Sequence, residues 1–337
     1  MFTDSSILIT GGTGSFGKAF TSRLLERYDP RRIIIFSRDE FKQDLMRKNF
    51  EKKYGMEKTA KLRFFIGDVR DKDRLYRAFK GVDYVVHAAA LKQVPACEYN
   101  PFEAIKTNIH GAQNVIDAAL DKDVKKVVAL STDKAVNPIN LYGGTKLVSD
   151  KLFISANAYT GQKGCIFSVV RYGNVSGSRG SVIPFFMQLL KQGKVVLPIT
   201  DDRMTRFWMT LDDAVELVIK ALEESRGGET YVHKNPSYKV VDIAHALNPC
   251  GGIENIGIRE GEKIHECMIT RDDSIRTFEY GNFYIIYPNF SWWNLEQHFT
   301  PGGKHIEADW EYNSGTNTVW LDAPELARRI SDLDIEL

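Results

Sequence analysis

Four ionisable side chains follow one short apolar run in this chain of 337 residues. Asp133 and Lys134 come directly after Thr132, and Tyr142 and Lys146 stand four positions apart further on, so that on a helix they share a face. A phenol beside an ammonium can accept the proton of an alcohol while a hydride leaves the same carbon. An adjacent acid and amine can then move protons on the resulting ketone. These residues indicate hydride transfer coupled to an elimination.

Asp133 and Lys134 are expected to divide the elimination between them. Oxidation at C4 of a hexose acidifies the proton at C5, because the carbanion left behind is an enolate. Lys134, neutral through desolvation, would be the base at C5, and Asp133, protonated through burial, the acid at the C6 hydroxyl. Nearby positive charge should move the pKa of Tyr142 below its reference value of about 10. On residue types alone, Asp133 and Lys134 could equally be a solvated loop pair, and Tyr142 a surface tyrosine.

The elements that position these residues are short apolar strands separated by longer helical segments. Continuous β-branched runs without alternation are typical of strands that are buried on both faces of a parallel sheet. The pattern predicts an α/β fold, a Rossmann-type doubly wound parallel sheet that binds ligands outside the carboxyl ends of its strands. The predicted strands are Ile7–Thr10, Arg32–Phe36, Leu62–Ile66, Asp83–His87, Lys126–Leu130 and Ile166–Val170.

The character of the chain changes after about Tyr172, where glycines punctuate shorter elements and tryptophans become frequent. We predict a dinucleotide-binding Rossmann domain of residues 1–172 plus about 207–225. Residues 173–206 and 226–337 are predicted to form a smaller C-terminal α/β substrate domain. A helix near Leu211–Glu224 should return the chain to the first domain.

A glycine-rich turn connects the first strand to the next helix. Gly11, Gly14 and Gly17 have the spacing that lets a backbone turn tightly and approach a pyrophosphate at a helix N-terminus. A glycine-rich turn without a ligand shows the same pattern, but a strand before it and a helix after it predict dinucleotide binding. The candidates between the glycines are Thr13, Ser15 and Phe16.

The end of the second strand favours NADP over NAD. NAD-selective folds usually carry an acidic residue here for the ribose 2′-hydroxyl. This chain has Ser37 and Arg38 here, with Lys42 about one helical turn later. The cationic side chains of Arg38 and Lys42 could pair with a 2′-phosphate. Asp39 and Glu40 are expected to begin the next helix instead. Further cofactor candidates, each of which could equally be a packing residue, are Asp68, Val69 and Ala88.

Composition excludes several classes of protein. Lys and Arg number 45 and Asp and Glu 44, so a formal net charge of +1 draws the chain to neither nucleic acid nor a membrane surface. No apolar run approaches the roughly 18 residues of a membrane span and no secretion leader is evident, which predicts a cytoplasmic protein. The four cysteines are scattered, which predicts reduced thiols, and the seven histidines lack ligand spacing, so no metal is expected.

Taken in order, these motifs resemble the extended short-chain dehydrogenase/reductase superfamily, with Thr132, Tyr142 and Lys146 as its usual triad. Within it, the chain is similar to the C5-inverting UDP-N-acetylglucosamine 4,6-dehydratases of the pseudaminic acid type. Retaining relatives carry Glu where Lys134 stands, or Met where Tyr142 stands. The matching stretches are Gly11–Lys18, Phe64–Asp71, His87–Lys92, Ser131–Ala135, Asn137–Tyr142, Arg171–Val175, Met204–Trp208 and Gly257–Arg259.

The resemblance implies an NADP-dependent 4,6-dehydratase, a homo-oligomer, that acts on UDP-N-acetylglucosamine. C4 is oxidised, water is eliminated across C5 and C6, hydride returns to C6, and C5 is reprotonated on the opposite face. The product would be UDP-2-acetamido-2,6-dideoxy-β-L-arabino-hex-4-ulose. Implied cofactor contacts are Thr107, Asn108 and Val175, and implied substrate contacts are Lys92, Asn174, Gly180, Ser181, Val182, Ile183, Pro184, Arg206 and Arg259.

Alternative functions stay open at this point. The same scaffold supports a C5-retaining UDP-sugar 4,6-dehydratase or a UDP-sugar 4-epimerase. A non-catalytic NADP-binding regulator would keep the glycine turn, but the full set of catalytic side chains argues against it. Two positions depart from the family pattern: Gly144 stands in place of Ala, which loosens the helix beside Tyr142, and Glu260 in place of Pro, which puts negative charge beside Arg259.

Overall fold

The computed structural model describes residues 2–161, 164–177 and 181–333. The strands are β1 (Ser6–Thr10), β2 (Arg32–Ser37), β3 (Leu62–Ile66), β4 (Tyr84–His87), β5 (Lys126–Thr132), β6 (Ile166–Tyr172), β7 (Val196–Ile199), β8 (Thr205–Phe207), β9 (Thr230–His233), β10 (Ser237–Lys239), β11 (Gly252–Asn255), β12 (Cys267–Ile269), β13 (Thr277–Glu279), β14 (Phe283–Ile286), β15 (Lys304–His305) and β16 (Tyr312–Asn313). The helices are α1 (Ser15–Arg27), α2 (Glu40–Thr59), α3 (Lys72–Ala78), α4 (Val94–Tyr99), α5 (Pro101–Ile105), α6 (Gly111–Asp121), α7 (Leu141–Ala156), α8 (Val182–Lys191), α9 (Leu211–Glu224), α10 (Val240–Leu247), α11 (Arg271–Ser274), α12 (Leu295–His298) and α13 (Ala323–Ser331).

Within these residues the main sheet has ten strands, in the order β15-β13-β14-β9-β6-β5-β4-β1-β2-β3. The strands from β3 to β9 run parallel. The partial order 3-2-1-4-5-6 is that of a dinucleotide-binding fold, whose crevice lies where the order reverses beside β1. The predicted Rossmann-type doubly wound sheet is confirmed, and each of the six predicted strands is present.

Helices cover both faces of the parallel strands. On one face α1 and α9 bury residues such as Phe20, Leu24 and Val218 against β1 and β2. On the other face α3, α6 and α7 bury residues such as Leu75 and Phe153 against the same strands. All five residues of β1 are buried, which explains why its sequence shows no polar alternation. The strand ends are therefore held rigidly.

The second half of the chain returns to the main sheet more than once. The helix predicted near Leu211–Glu224 is α9, which begins at a capping box formed by Thr210 and Asp213. Beyond it β9 continues the parallel part of the sheet, and β14, β13 and β15 extend it with antiparallel pairs. A separate core unites α8, α10 and α13. The division into a Rossmann domain and a substrate domain stays a prediction.

Candidate active site

The catalytic turn follows β5 at the carboxyl edge of the sheet. Thr132 ends the strand, and Asp133–Ala135 form one 3₁₀ turn before α7. Asn140 caps α7 by accepting the N–H of Gly143 at 2.8 Å. A side chain at Gly143 would bring its Cβ to 2.1 Å from the carbonyl oxygen of Lys134, so glycine is required for the helix to start against the turn. The two predicted catalytic pairs are thus packed together.

A connected set of contacts links the four polar side chains of this turn. Asp133 Oδ1 accepts from Thr132 Oγ1 at 2.9 Å and from Lys134 Nζ at 3.1 Å. Thr132 also lies near the phenol of Tyr142 and opposes the rise of its pKa. Lys134 Nζ also donates to Asn174 Oδ1 at 2.9 Å. Asn174, predicted to bind substrate, therefore helps to hold the amine.

The expectation of a neutral Lys134 is wrong for this arrangement. Burial by itself would lower the pKa of Lys134, but the carboxylates of Asp133 and Glu266 outweigh it and raise the pKa above the ordinary value of 10.5. Glu266 Oε1 lies 3.7 Å from Lys134 Nζ, beyond Asp133 at 3.1 Å. At neutral pH the amine is an ammonium paired with Asp133.

In the protein alone the pKa of Tyr142 lies above the ordinary value, whereas the expectation of a lower pKa also counted the positive charge of a nicotinamide cofactor. Burial raises the pKa of Tyr142 to about 12, because a phenolate would be desolvated. The ammonium of Lys134 and the nearby Thr132 oppose the rise without cancelling it. The protein alone therefore keeps Tyr142 as a phenol.

Lys146 lies behind Tyr142 on α7, one helical turn further along the same face, and is buried. Burial lowers the pKa of Lys146, against the opposing charge of Asp150. Asp150 is equally buried, and Ser131 Oγ donates to its Oδ2. Burial raises the pKa of Asp150, and the charges of Lys146 and Arg171 oppose this. Asp150 lies outside the motifs, and Ser131 belongs to a matching stretch but was not predicted as a site residue.

The glycine turn fits a dinucleotide. Gly11 has a φ of +67°, and a Cβ there would lie 2.9 Å from the backbone nitrogen of Ala89. A Cβ at Gly17 would lie 2.4 Å from the oxygen of Gly12, so α1 can pack against the turn only with glycine there. Gly14 is the N-cap of α1 and offers no side-chain cap, which leaves the first helical amides directed outward. Thr13, Ser15 and Phe16 complete this turn and are only partly buried or exposed.

Thr107 supplies a second observation that fits a bound cofactor. It lies in a π-helical segment, Lys106–His110, between α5 and α6. Its Oγ1 is buried and has no hydrogen-bond partner among the described residues. Buried hydroxyls are normally paired, so this oxygen fits a contact to a bound cofactor.

The neighbouring Asn108 has a different environment. Its Oδ1 accepts from Leu91 N at 2.8 Å, and its Nδ2 donates to Leu91 O at 2.9 Å and to Thr145 Oγ1 at 3.0 Å. These bonds use both amide hydrogens. Asn108 therefore fastens the segment after β4 to α7 and supports the predicted cofactor site from behind.

The predicted NADP-selecting residues lie where β2 ends. Asp39 caps α2 by accepting the N–H of Lys42 at 2.9 Å, so it begins the helix as expected. Arg38 is 55% exposed, with NH1 at 3.5 Å from Asp68 Oδ2, and Lys42 Nζ lies 3.0 Å from Asp39 Oδ2. Ser37 accepts from Gln43 Nε2 at 3.0 Å. Because surface ion pairs of this kind are weak, Arg38 and Lys42 are both available to bind a phosphate.

Three further cofactor candidates follow strands of the same edge. Val69 is buried, and its carbonyl accepts from Asn114 Nδ2 at 3.0 Å. Ala88 follows β4, and its N–H donates to the oxygen of Thr10 at 3.2 Å. Val175 forms an isolated parallel bridge with Met209 after β6. Contact of these three residues with a cofactor stays a prediction.

The predicted substrate residues are only partly brought together. Arg206, on β8, is held by two backbone carbonyls and lies beside Glu266. Partial desolvation and the charge of Lys134 lower the pKa of Lys92, which places it near the catalytic turn. Arg259 lies on an exposed loop, where its N–H donates to Glu262 Oε2 at 3.3 Å.

The segment 180–184, which is predicted to contact the substrate, leads into α8. Gly180 lies outside the described residues. Ser181 is the N-cap of α8, and Val182 and Pro184 stand in its first turn. Ile183 is 1% exposed in the core shared with α10 and α13, so its side chain supports the helix instead of reaching a ligand. The role of this segment stays a prediction.

Two residues from the last third of the chain contact the catalytic turn and complete the site. The sequence motifs did not predict these contacts. Glu266 precedes β12 and meets Lys134 and Arg206. Lys263 donates to the carbonyl oxygen of Val136 at 2.6 Å, directly beyond the turn. Residue spacing predicts neither contact, because each joins parts of the chain that are far apart in the sequence.

The described residues contain neither a metal-binding cluster nor a membrane-spanning helix. Within 2–161, 164–177 and 181–333, no group of three His, Cys, Asp or Glu side chains could hold a metal ion. In that part of the chain, no helix combines the length and the apolar character needed to cross a bilayer.

The fold and this arrangement define an extended short-chain dehydrogenase/reductase, as the resemblance predicted. A family model described as polysaccharide biosynthesis protein matches residues 7–288, and the chain belongs to this family.

Comparison with individual proteins narrows the class further. The chain is 52% identical over 336 residues to a UDP-N-acetylglucosamine 4,6-dehydratase (inverting) of Campylobacter jejuni, covering 98% of each chain. It is 44% identical over 341 residues to a UDP-glucose 4-epimerase of Rickettsia akari, covering 99% of this chain and 97% of the relative. The X-ray structure of Pen from Bacillus thuringiensis is similar with a TM-score of 0.88 and 39% identity, covering 98% of both chains.

Proposed function

We propose that the protein is a UDP-N-acetylglucosamine 4,6-dehydratase that inverts C5. The observation that carries the proposal is the contact between Asp133 and Lys134, 3.1 Å from Oδ1 to Nζ, near the phenol of Tyr142. Oxidation of an alcohol needs only Tyr142 and its lysine, whereas elimination of water also needs an acid and a base within reach of each other. The name of the Campylobacter jejuni relative supports the same activity.

A nicotinamide cofactor bound at the glycine turn supplies a hydride acceptor for C4, a hydride donor for C6 and a positive charge that favours the Tyr142 phenolate. Tyr142 then accepts the proton of the C4 hydroxyl. Lys146 is placed one turn away to hold the phenolate and the cofactor. Thr132 donates to Asp133 and orients its carboxyl.

The ion pair of Asp133 and Lys134 holds the same number of protons as the acid and neutral amine that elimination requires. Transfer of one proton from Lys134 Nζ to Asp133 Oδ1, across 3.1 Å, converts the ion pair into the acid and the neutral amine. Covering the pair with a sugar removes water and favours the uncharged form. The amine then takes the C5 proton, the acid protonates the leaving C6 hydroxyl, and the ion pair is restored as water departs. When hydride returns to C6, the enolate that forms takes up a solvent-derived proton at C5, on the opposite face.

Incubation with UDP-N-acetylglucosamine in D₂O, followed by NMR of the product, tests this function. Inversion predicts deuterium at C5, a methyl group at C6 and couplings of the L-arabino configuration. Deuterium at C5 with the original configuration would show a retaining dehydratase. Absence of turnover would favour the non-catalytic regulator.

A UDP-sugar 4-epimerase is the second candidate, because relatives at 44% identity carry that name. Epimerisation uses Tyr142 and Lys146 but leaves Asp133 and Lys134 without a chemical task. The same NMR experiment separates the two reactions, since an epimerase changes C4 and keeps the C6 hydroxyl.

We propose NADP as the cofactor. Arg38 is exposed directly after β2, while Asp39, the nearest acidic candidate for a ribose hydroxyl, is engaged as the cap of α2. Arg38→Ala should weaken NADPH binding about tenfold or more, as loss of a charge-assisted pair predicts. NADH is the internal control, and its affinity should change little. Equal losses for both nucleotides, or tighter binding of NADH by the unaltered protein, would exclude this assignment.

We also propose, from the family resemblance, a cytoplasmic homo-oligomer whose product enters pseudaminic acid synthesis. Light scattering on the purified protein tests the oligomer, and a monomer at micromolar concentration would contradict it. Complementation of a strain that lacks pseudaminic acid tests the pathway.

A further inference from the structure

Glu266 is a buried carboxylate that the proposed chemistry has not yet used. It stands directly before β12, its side chain is 3% exposed, and its backbone N–H donates to Ser314 Oγ at 2.9 Å. Its Oε2 is buried without a hydrogen-bond partner among the described residues. A carboxylate held in this way is costly unless nearby cations compensate it.

The compensating cations are the amine and the guanidinium of the candidate active site. Glu266 Oε1 lies 3.7 Å from Lys134 Nζ and 3.8 Å from Arg206 Nε. Burial and the charge of Asp133 raise the pKa of Glu266, while both cations oppose this. The carboxyl therefore stands between two groups with different proposed tasks, proton transfer for Lys134 and substrate binding for Arg206.

We propose that Glu266 is a positioning residue which, as a carboxylate, holds Lys134 and Arg206 together and keeps Lys134 an ammonium until substrate is bound. This inference rests on the proposed dehydratase function. It gives the site a reason to bury a carboxyl whose Oε2 has no hydrogen-bond partner among the described residues. Without Glu266, the Lys134 ammonium would keep only Asp133 as a neighbouring carboxylate.

The other groups that face Lys134 define what removal of Glu266 leaves behind. Asp133 favours the ammonium, whereas the charges of Arg206 and Lys92 disfavour it. The phenols of Tyr142 and Tyr238 also lie in the field of Lys134. With Glu266 neutral, a single carboxylate opposes two cations, and the amine should lose its proton more readily.

Competitive labelling with acetic anhydride measures this directly on the full chain, because only a neutral amine reacts. The Lys134 side chain is 24% exposed, so a small reagent can reach it. In Glu266→Gln the midpoint of the labelling curve of Lys134 should fall by about one pH unit or more. Glu266→Asp keeps the charge but draws it back from Lys134, so the midpoint should fall by a smaller amount than in Glu266→Gln. The ascending limb of the pH profile of dehydration should move in the same direction.

Glu229→Gln is the matched control. Glu229 is a fully buried carboxylate that accepts the N–H groups of Arg226 and Gly227, outside the site. It should leave the labelling curve of Lys134 unchanged, whatever it does to thermal stability. An unchanged midpoint in Glu266→Gln, or an equal shift in Glu229→Gln, would overturn the proposal.

The two proposals fail in distinguishable ways. The labelling needs no substrate. If the protein makes no dehydration product, the proposed function is contradicted, but the effect of Glu266 on the pKa of Lys134 can still be measured. If Glu266→Gln does not fold, Glu266→Asp decides. Because its shorter side chain draws the charge back from Lys134, a midpoint that falls by less than the Gln prediction supports the proposal, and no change contradicts it.

Discussion

The proton shared by Asp133 and Lys134 decides whether the site can eliminate water after it has oxidised C4. Lys134 is an ammonium at rest, and Asp133 accepts hydrogen bonds from it and from Thr132. Neither group alone is in its reactive form. The pair becomes an acid and a base only by exchanging one proton, which couples elimination to the exclusion of water.

Asp133→Asn tests this coupling. The amide keeps the shape of the carboxyl but cannot take the proton from Lys134 or pass it to the leaving hydroxyl. Dehydration should fall about 100-fold or more, as expected for loss of a general acid, while C4 oxidation persists. Reduced cofactor should therefore accumulate and can be followed by its absorbance. Equal losses of cofactor reduction and of product would mean that Asp133 acts before the elimination.

His87 shows how burial beneath the site affects stability. Its ring is buried beside Thr10, with Nδ1 at 2.9 Å from Thr10 Oγ1. Burial, with a smaller effect of Lys146, lowers the pKa of His87 from 6.5 to about 3. Between these values the unfolded chain binds a proton that the native state does not bind. The stability that His87 contributes is complete above pH 6.5 and is lost as the pH falls toward 3.

His87→Asn should remove this pH dependence. Relative to the variant, the native protein should lose about 2 kcal/mol of unfolding free energy between pH 7 and pH 5. Urea denaturation at the two pH values measures the difference. Thr10→Val is the control, because it loses the hydrogen bond but keeps the ring and hence the slope. Parallel pH curves for the native protein and His87→Asn would contradict the assignment.

At the scale of elements, the start of α7 must approach the catalytic turn closely. Gly143 and Gly144 are adjacent but have opposite environments. A Cβ at Gly143 would meet the oxygen of Lys134 at 2.1 Å, whereas a Cβ at Gly144 meets nothing within 4 Å. Only the first glycine is required by geometry.

The two alanine variants therefore form a matched pair. Gly144→Ala should raise the unfolding free energy by about 1 kcal/mol, the difference in helix propensity, with activity retained. Gly143→Ala should displace the turn that carries Lys134 and lower the rate of dehydration at least tenfold. Thermal unfolding and steady-state kinetics on both proteins check these outcomes. Similar effects of the two substitutions would show that the close approach is not important.

The elements were predictable from the sequence because their signals are local. Apolar runs gave six strands of the sheet, and the spacing of the glycines located the turn before α1. The protonation state of Lys134 was not predictable, because it depends on Glu266, which folding brings from a distant part of the chain. The pKa of Tyr142 in the protein alone was not predictable for the same reason, since its burial is a property of the folded molecule. Residue spacing predicts which groups meet along one helix, but not which charges surround them.

At the scale of the whole molecule, the site depends on a loop of the last third that docks on the catalytic turn. Asn140 Nδ2 donates to Gly261 O at 2.9 Å, and Lys263 Nζ donates to Val136 O at 2.6 Å. Gly261 has a φ of +73° and lies against Asn140, which fixes the bend of the loop. The same loop carries Arg259, so docking of the loop would bring this predicted substrate-binding arginine to the site.

Lys263→Met tests whether this docking serves substrate binding. The variant keeps the length of the side chain but loses a hydrogen bond from a charged donor, which is worth about 1.5–3 kcal/mol. The KM for the UDP-sugar should rise about tenfold, with a much smaller change in kcat, because the loop positions Arg259 and not the reacting groups. Lys234→Met is the control, since Lys234 also donates to a backbone carbonyl, that of Gly281, but away from the site. If kcat falls and KM is unchanged, the loop acts on the catalytic turn itself, and Arg259 would not depend on it.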